Sequence, residues 1–159
     1  MSSASIASSR RGFLVGAGLS AASPAFARPI RQTPAAVLKA FLSAFERCDL
    51  AWMETFFAPD ATFFDRFPPG AQEAAEYRRG HGMPTGMRDL CHRLLQAGGT
   101  PPYHRVEPQD LLIQSYGGVA ICTFHLDDRQ TLGRRTVVLN RRGASWKIVH
   151  IHASNMPLA

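Results

Sequence analysis

The chain has little that would hold it in a bilayer, staple it with disulfides or fasten it to nucleic acid. After the first 27 residues no apolar run comes near the roughly 20 residues that a membrane-spanning helix needs. The three cysteines, Cys48, Cys91 and Cys122, are odd in number and widely spaced, which makes no disulfide framework. Each sits in an apolar setting, the usual place of a buried free thiol, and one oxidised pair remains open. The formal charge is +6, yet Arg66, Arg88, Arg105, Arg134 and Arg141 are spread along the chain and interleaved with acids. A nucleic-acid binder would carry a dense basic stripe or a recognised module. Neither is present, so the arginines speak for solubility and no nucleic-acid partner is expected. A P-loop, a dinucleotide glycine fingerprint, a zinc-protease helix and a nucleophile elbow are all missing. No cofactor is implied.

What is present begins with a three-part N-terminal segment. Ser9-Arg10-Arg11-Gly12 supplies charge and an arginine pair, Phe13 to Ala22 a short apolar stretch, and Ala25-Phe26-Ala27 a small-x-small cleavage site. The order predicts a twin-arginine leader over residues 1–27, an address read by an export receptor. A periplasmic or secreted chain of 132 residues, 28–159, then carries a net charge of +4. That length supports one domain with a real core.

Thr33-Pro34 combines a capping hydroxyl with proline at the first helical position. Val37, Leu38, Phe41, Leu42 and Phe45 then recur at helical spacing, predicting a helix that ends near Cys48. Asp49 can cap a second short helix, broken by Pro59-Asp60, and Ala61 to Asp65 reads as a brief strand. Pro68-Pro69-Gly70 is a turn signal. A helical piece is expected over 71–79, a loop at Gly80-His81-Gly82, and another helix from Thr85 or Gly86 to the break at Gly98-Gly99. Four strands follow, over 103–114, 119–126, 131–141 and 145–154, and their short separations imply antiparallel neighbours. Helices first and a sheet second is an α+β plan.

The C-terminal hairpin carries a resemblance. Arg134 to Arg142 followed by Trp146-Lys147-Ile148-Val149-His150-Ile151-His152-Ala153-Ser154 looks like the ending of SnoaL-like proteins in the nuclear-transport-factor-2 (NTF2-like) superfamily. It is closest to the association domain of calcium/calmodulin-dependent kinases and its bacterial relatives. Phe57-Ala58-Pro59-Asp60-Ala61-Thr62 and Gly117-Gly118-Val119-Ala120 fit the superfamily too, and the likeness spans nearly all of residues 33 to 156. It implies a cone-shaped fold: N-terminal helices packed on a strongly curved antiparallel sheet, with a pocket between them. It also implies a homodimer or higher homo-oligomer through the convex sheet face. The superfamily includes isomerases, cyclases and dehydratases, and also proteins that only bind or assemble, so the fold does not settle the chemistry. The kinase domains carry pocket arginines where this chain has Ala153 and Val137, which argues against a phosphate- or carboxylate-seeking pocket.

Strand alternation places Val149, Ile151 and Ala153 on one face of the last strand and Ile148, His150 and His152 on the other. On the resemblance, Arg135, Val137, Leu139, Val149, Ile151 and Ala153 share the concave face, with Trp52 and Phe64 bordering it. A mostly apolar face suits an apolar or aromatic small molecule, or simply a filled core, and Arg135 suits an acidic substituent or a salt bridge. An enzyme reading needs an acid or base there. Asp65 is the expected base, with Tyr77 or His81 as proton donor or oxyanion partner, and His104 is a further candidate. The plain readings are a turn cap for Asp65, packing for Tyr77 and an exposed loop residue for His81. His150 and His152 are expected to face away from the cavity as structural residues, with no metal site. Two functions remain: an exported small-molecule-binding protein, with isomerase, cyclase or dehydratase chemistry open to it, or a non-catalytic oligomerisation or interaction module.

Overall fold

The computed structural model describes residues 32–64, 82–127 and 131–157. Thr33 opens α1 (Pro34–Glu46): its hydroxyl accepts from the Ala36 amide at 3.2 Å, and Pro34 gives up no hydrogen bond in the first turn. Val37, Leu38, Phe41 and Ala44 form the buried stripe. The helix closes two residues before Cys48, whose positive φ of 50° turns the chain. The Asp49 carboxylate caps α2 (Leu50–Glu54) by accepting from the Trp52 amide. The helix stops at Glu54, before Pro59, and the strand after it is longer than its sequence suggested. Extended pairing begins at Phe57, so β1 runs Phe57–Phe64. Pro59 and Asp60 are exposed at an irregularity of this edge strand, where a missing amide costs no ladder bond. The 71–79 helix expected from sequence lies outside the described residues.

Helix α3 (Thr85–Gln96) carries the buried Cys91 and ends before the glycines at 98 and 99. Four strands follow: β2 (Gln109–Tyr116), β3 (Val119–Asp127), β4 (Thr131–Arg142) and β5 (Ser145–Pro157). The strand expected from Tyr103 forms only from Gln109. Residues 103–108 are instead tied to the end of α1, the Tyr103 amide donating to the Glu46 carbonyl and the Val106 amide to the Glu46 carboxylate, both at 2.8 Å. Gly117 and Gly143 take positive φ in the two tight turns, a conformation other residues enter only with strain.

The sheet order is β1-β5-β4-β3-β2. The β2–β3–β4–β5 pairs are antiparallel, but β1 joins β5 in parallel, which makes the sheet mixed. The architecture is α+β with an NTF2-like curved sheet. Register puts Ile113, Cys122, Val137, Ile151 and Phe63 side by side on the inner face. They share one core with the buried stripe of α1 and with Met53 and Cys91. All three cysteines are free, buried thiols. Burial pushes Cys91 up to about 12, with a hydrogen bond from the neighbouring Cys48 adding to it, and burial alone pushes Cys122 up to about 11.

Strict alternation fails once in β5. Leu139 pairs with Ile148 and Val138 with His150, which leaves Val149 as the extra residue of a bulge. Upstream of it Trp146 and Ile148 enter the core; downstream Ile151 does. Ile148, expected on the outer face, is therefore fully buried, and Val149 does not continue the inner row of Ile151 and Ala153.

Candidate functional site

The far ends of β3, β4 and β5 reach past the core, and α3 lies over them. Between them the described residues bound a cavity of about 820 Å³, within the size range of small-molecule sites. Its apolar lining is Phe45 from α1, Phe63 from β1, Met87 and Leu90 from α3, Leu126 from β3, and Ile151 and Ala153 from β5. Its polar lining is Asp89 and Arg93 of α3, residues of the segment from His104 to Gln109, and Asp127, Thr131, Arg135 and Asn155 at the strand ends. Positions 89 and 93 are one helical turn apart, which sets both side chains along the same edge of α3.

Arg135 is held firmly. Its Nη1 donates to the carbonyls of Arg134 and Ser154, each at 2.9 Å, and both Nη1 and Nη2 donate to Asn155 Oδ1 at 3.1 Å. The guanidinium lies over Gly133, where a Cβ would come within 3.0 Å of both terminal nitrogens. This arginine is thus part of the cavity wall, pinned by the ends of β4 and β5.

His104 is the half-buried histidine of the wall. Its Nε2 is 2.8 Å from the Phe45 carbonyl oxygen, and its ring stands edge-on to Phe45 with centroids 4.5 Å apart. Glu107 pairs with Arg105 at 3.3 Å in solvent.

The sequence-derived site residues fall into three groups. Arg135, Ile151 and Ala153 line the cavity, and Phe64, at the end of β1, borders it while its ring turns to the outer face. Val137 is buried beneath it, Val149 sits at the bulge, and Trp52 is 40% exposed on α2 against Phe56, away from the cavity. Asp65, Tyr77 and His81 lie outside the described residues. Glu46, Phe45 and Asn155, which position His104 and Arg135, were not anticipated. The sequence carries no local signal for them, because each acts through a partner 19 or more positions away.

His150 and His152 face outward with Phe64, whose ring lies 5.9 and 6.0 Å from theirs. Among the described residues no group of three His, Cys, Asp or Glu could hold a metal ion, and no helix is long and apolar enough to cross a membrane.

A family model for a SnoaL-like domain matches residues 35–159. The chain belongs to the SnoaL-like domain family. This SnoaL-like domain is similar in fold to an NTF2-like protein of unknown function from Pseudomonas putida KT2440 (16% identity, TM-score 0.53, 74% of this chain and 80% of that one). A cystatin-like fold protein from Burkholderia xenovorans LB400 is comparable (17% identity, TM-score 0.53, 79% and 90%). So is a candidate ketosteroid isomerase from Parabacteroides distasonis ATCC 8503 (19% identity, TM-score 0.50, 79% and 89%). Likeness at these identities concerns the fold. Comparison with curated proteins gives no sequence match.

Proposed function

We propose that this SnoaL-like domain binds an apolar or aromatic small molecule in the cavity beneath α3, and that acid–base chemistry of the isomerase, cyclase or dehydratase kind is open to it. The observation that carries the reading is the cavity: about 820 Å³, lined by apolar side chains together with anchored polar groups. The isomerase named among the similar folds supports the choice of chemistry. The leader motif supports export, and the Trp146-to-Ser154 ending supports a place near the kinase-association branch.

The test is thermal denaturation of the purified protein against a panel of aromatic and alicyclic carbonyl compounds. A binder present at 100 times its Kd stabilises the protein by about 2.7 kcal/mol. The Tm should rise for the wild type and stay fixed for Ala153→Phe, which fills the cavity beside Arg135, its cross-strand partner. A panel without effect on the wild type would sink the reading.

A second reading, a module that assembles with copies of itself, is favoured by a separate observation. Leu112, Tyr116, Phe64 and Met156 are 55%, 60%, 53% and 42% exposed, and register places all four on the outer sheet face. The two readings use opposite faces of the sheet and are compatible.

A further inference from the structure

We propose that Cys48 and Cys91 form an oxidation site, where a disulfide oxidant converts the two thiols into a bridge tying α3 to the corner between α1 and α2. Three sulfur atoms meet there. The Cys91 thiol of α3 donates to the Met53 thioether of α2 across 4.0 Å. The Cys48 thiol, just past the end of α1, is its other hydrogen-bond partner. Arg88, one turn earlier on α3, pairs with Glu54 of α2 and holds the two helices together. Thiols in hydrogen-bond contact need only side-chain rotation to approach the geometry of a disulfide.

Sequence leaves every pairing of the three cysteines open, and the structure separates them. Cys122 lies on β3 between Ile113 and Val137, and burial alone acts on its thiol. Cys48 has a fixed backbone: its amide donates to the Phe45 carbonyl and its own carbonyl accepts from the Leu50 amide, each at 3.0 Å. Cys91 is the one buried residue of α3, so it is the point where a link restrains that helix most. Met87 and Leu90 of the cavity lining ride on the same helix and are restrained with it.

Cys48 is 5% exposed and Cys91 is fully buried, so the oxidant meets Cys48 first. The Cys48 thiolate attacks one sulfur of the oxidant, forms a mixed disulfide and expels the other sulfur as a thiol. Deprotonated Cys91 then attacks the Cys48 sulfur, closes the bridge and expels the second thiol. Two protons and two electrons pass from the protein to the oxidant, which ends as two thiols. Burial, with the Cys48 thiol adding to it, pushes Cys91 up to about 12, so bridge closure is the slow step at neutral pH. No ligand in the cavity takes part, and the bridge forms whether or not one binds.

The test incubates the full-length protein with oxidised glutathione, alkylates the remaining thiols in denaturant and maps the peptides without reduction. One bridge is expected, Cys48 to Cys91, with Cys122 alkylated, and dithiothreitol should reverse it. Cys122→Ser, which keeps both reacting thiols, should give the same bridge. A bridge to Cys122, three alkylated thiols after prolonged exposure, or a glutathione adduct that stays on Cys48 would each overturn the proposal. Hydrogen exchange then reads the tie: amides of Thr85–Gln96 should exchange roughly tenfold more slowly in the oxidised protein than in the reduced one. A Cys48–Cys91 bridge that leaves exchange in α3 unchanged would show that the helix was already held without it, and the restraining role would be wrong.

Discussion

At the scale of single residues, His150 shows how one side chain couples the fold to pH. Its Nδ1 shares a 2.8 Å hydrogen bond with the Thr62 hydroxyl. His152 beside it, Thr62 and Phe64 of β1, and Thr136 and Val138 of β4 surround it. Burial first, and the like charge of His152 second, lower its pKa below the ordinary value of 6.5. As pH falls, the unfolded chain therefore takes up this proton before the folded one does. Stability held by neutral His150 is complete above 6.5 and is lost as pH drops from there through the lowered folded value. Urea denaturation across that window should show stability falling on acidification, and His150→Gln should flatten the slope. An unchanged slope would place the acid sensitivity elsewhere. The outward direction of His150 and His152 was legible from alternation, whereas the partial burial of His150 was not, since it depends on β1 lying alongside.

At the scale of elements, amphipathic spacing and turn residues located α1, the start of α3 and the β3–β4–β5 meander closely. Three features escaped. The bulge at Val149 leaves no mark in a run of β-branched residues, where either of two neighbours could turn inward. The parallel pairing of β1 is a long-range choice with no local signature. Residues 103–108 alternate like a strand but are diverted by Glu46, 60 residues from the amide of Val106 that it accepts. The same kind of tertiary constraint governs the open ends of β4 and β5. An alanine at 133 would press its Cβ to within 3.0 Å of the Arg135 guanidinium, which is pinned by Ser154 and Asn155. Gly133→Ala should therefore destabilise the protein by about 1 kcal/mol, although the substitution on its own stiffens the unfolded chain. With Arg135→Ala beneath it, the clash is gone and the alanine should stabilise by about 0.5 kcal/mol. A double-mutant cycle in urea reads the coupling directly, and additive effects would mean that Arg135 moves aside freely.

At the scale of the whole molecule, the two faces of one sheet carry two different demands. The inner face closes the core and, past it, the cavity. The outer face is ordered in rows by register: Leu112, Thr123, Thr136, His152 and Phe64 in one, Gln114, Ile121, Val138, His150 and Thr62 in the next. Apolar side chains at the ends and centre of these rows, with Tyr116 and Met156 beyond, form a patch of the kind that marks an association surface. The resemblance in the C-terminal hairpin implies association through this same face. The cavity was only half legible from sequence, because its apolar strand residues follow alternation while its polar residues are brought together from α3, the 104–109 segment and the strand ends. If copies of the chain pair through the outer face, sedimentation equilibrium should give a concentration-dependent dimer. Val138 lies in the middle of that face and is half-buried. Val138→Lys would place a charge where the partner excludes water, at a cost of several kcal/mol unless it is paired. The variant should sediment as a monomer while its thermal transition and its response to cavity ligands persist. Loss of ligand binding together with the dimer would show that the partner completes the cavity, and a wild type that remains monomeric at high concentration would remove the assembly reading.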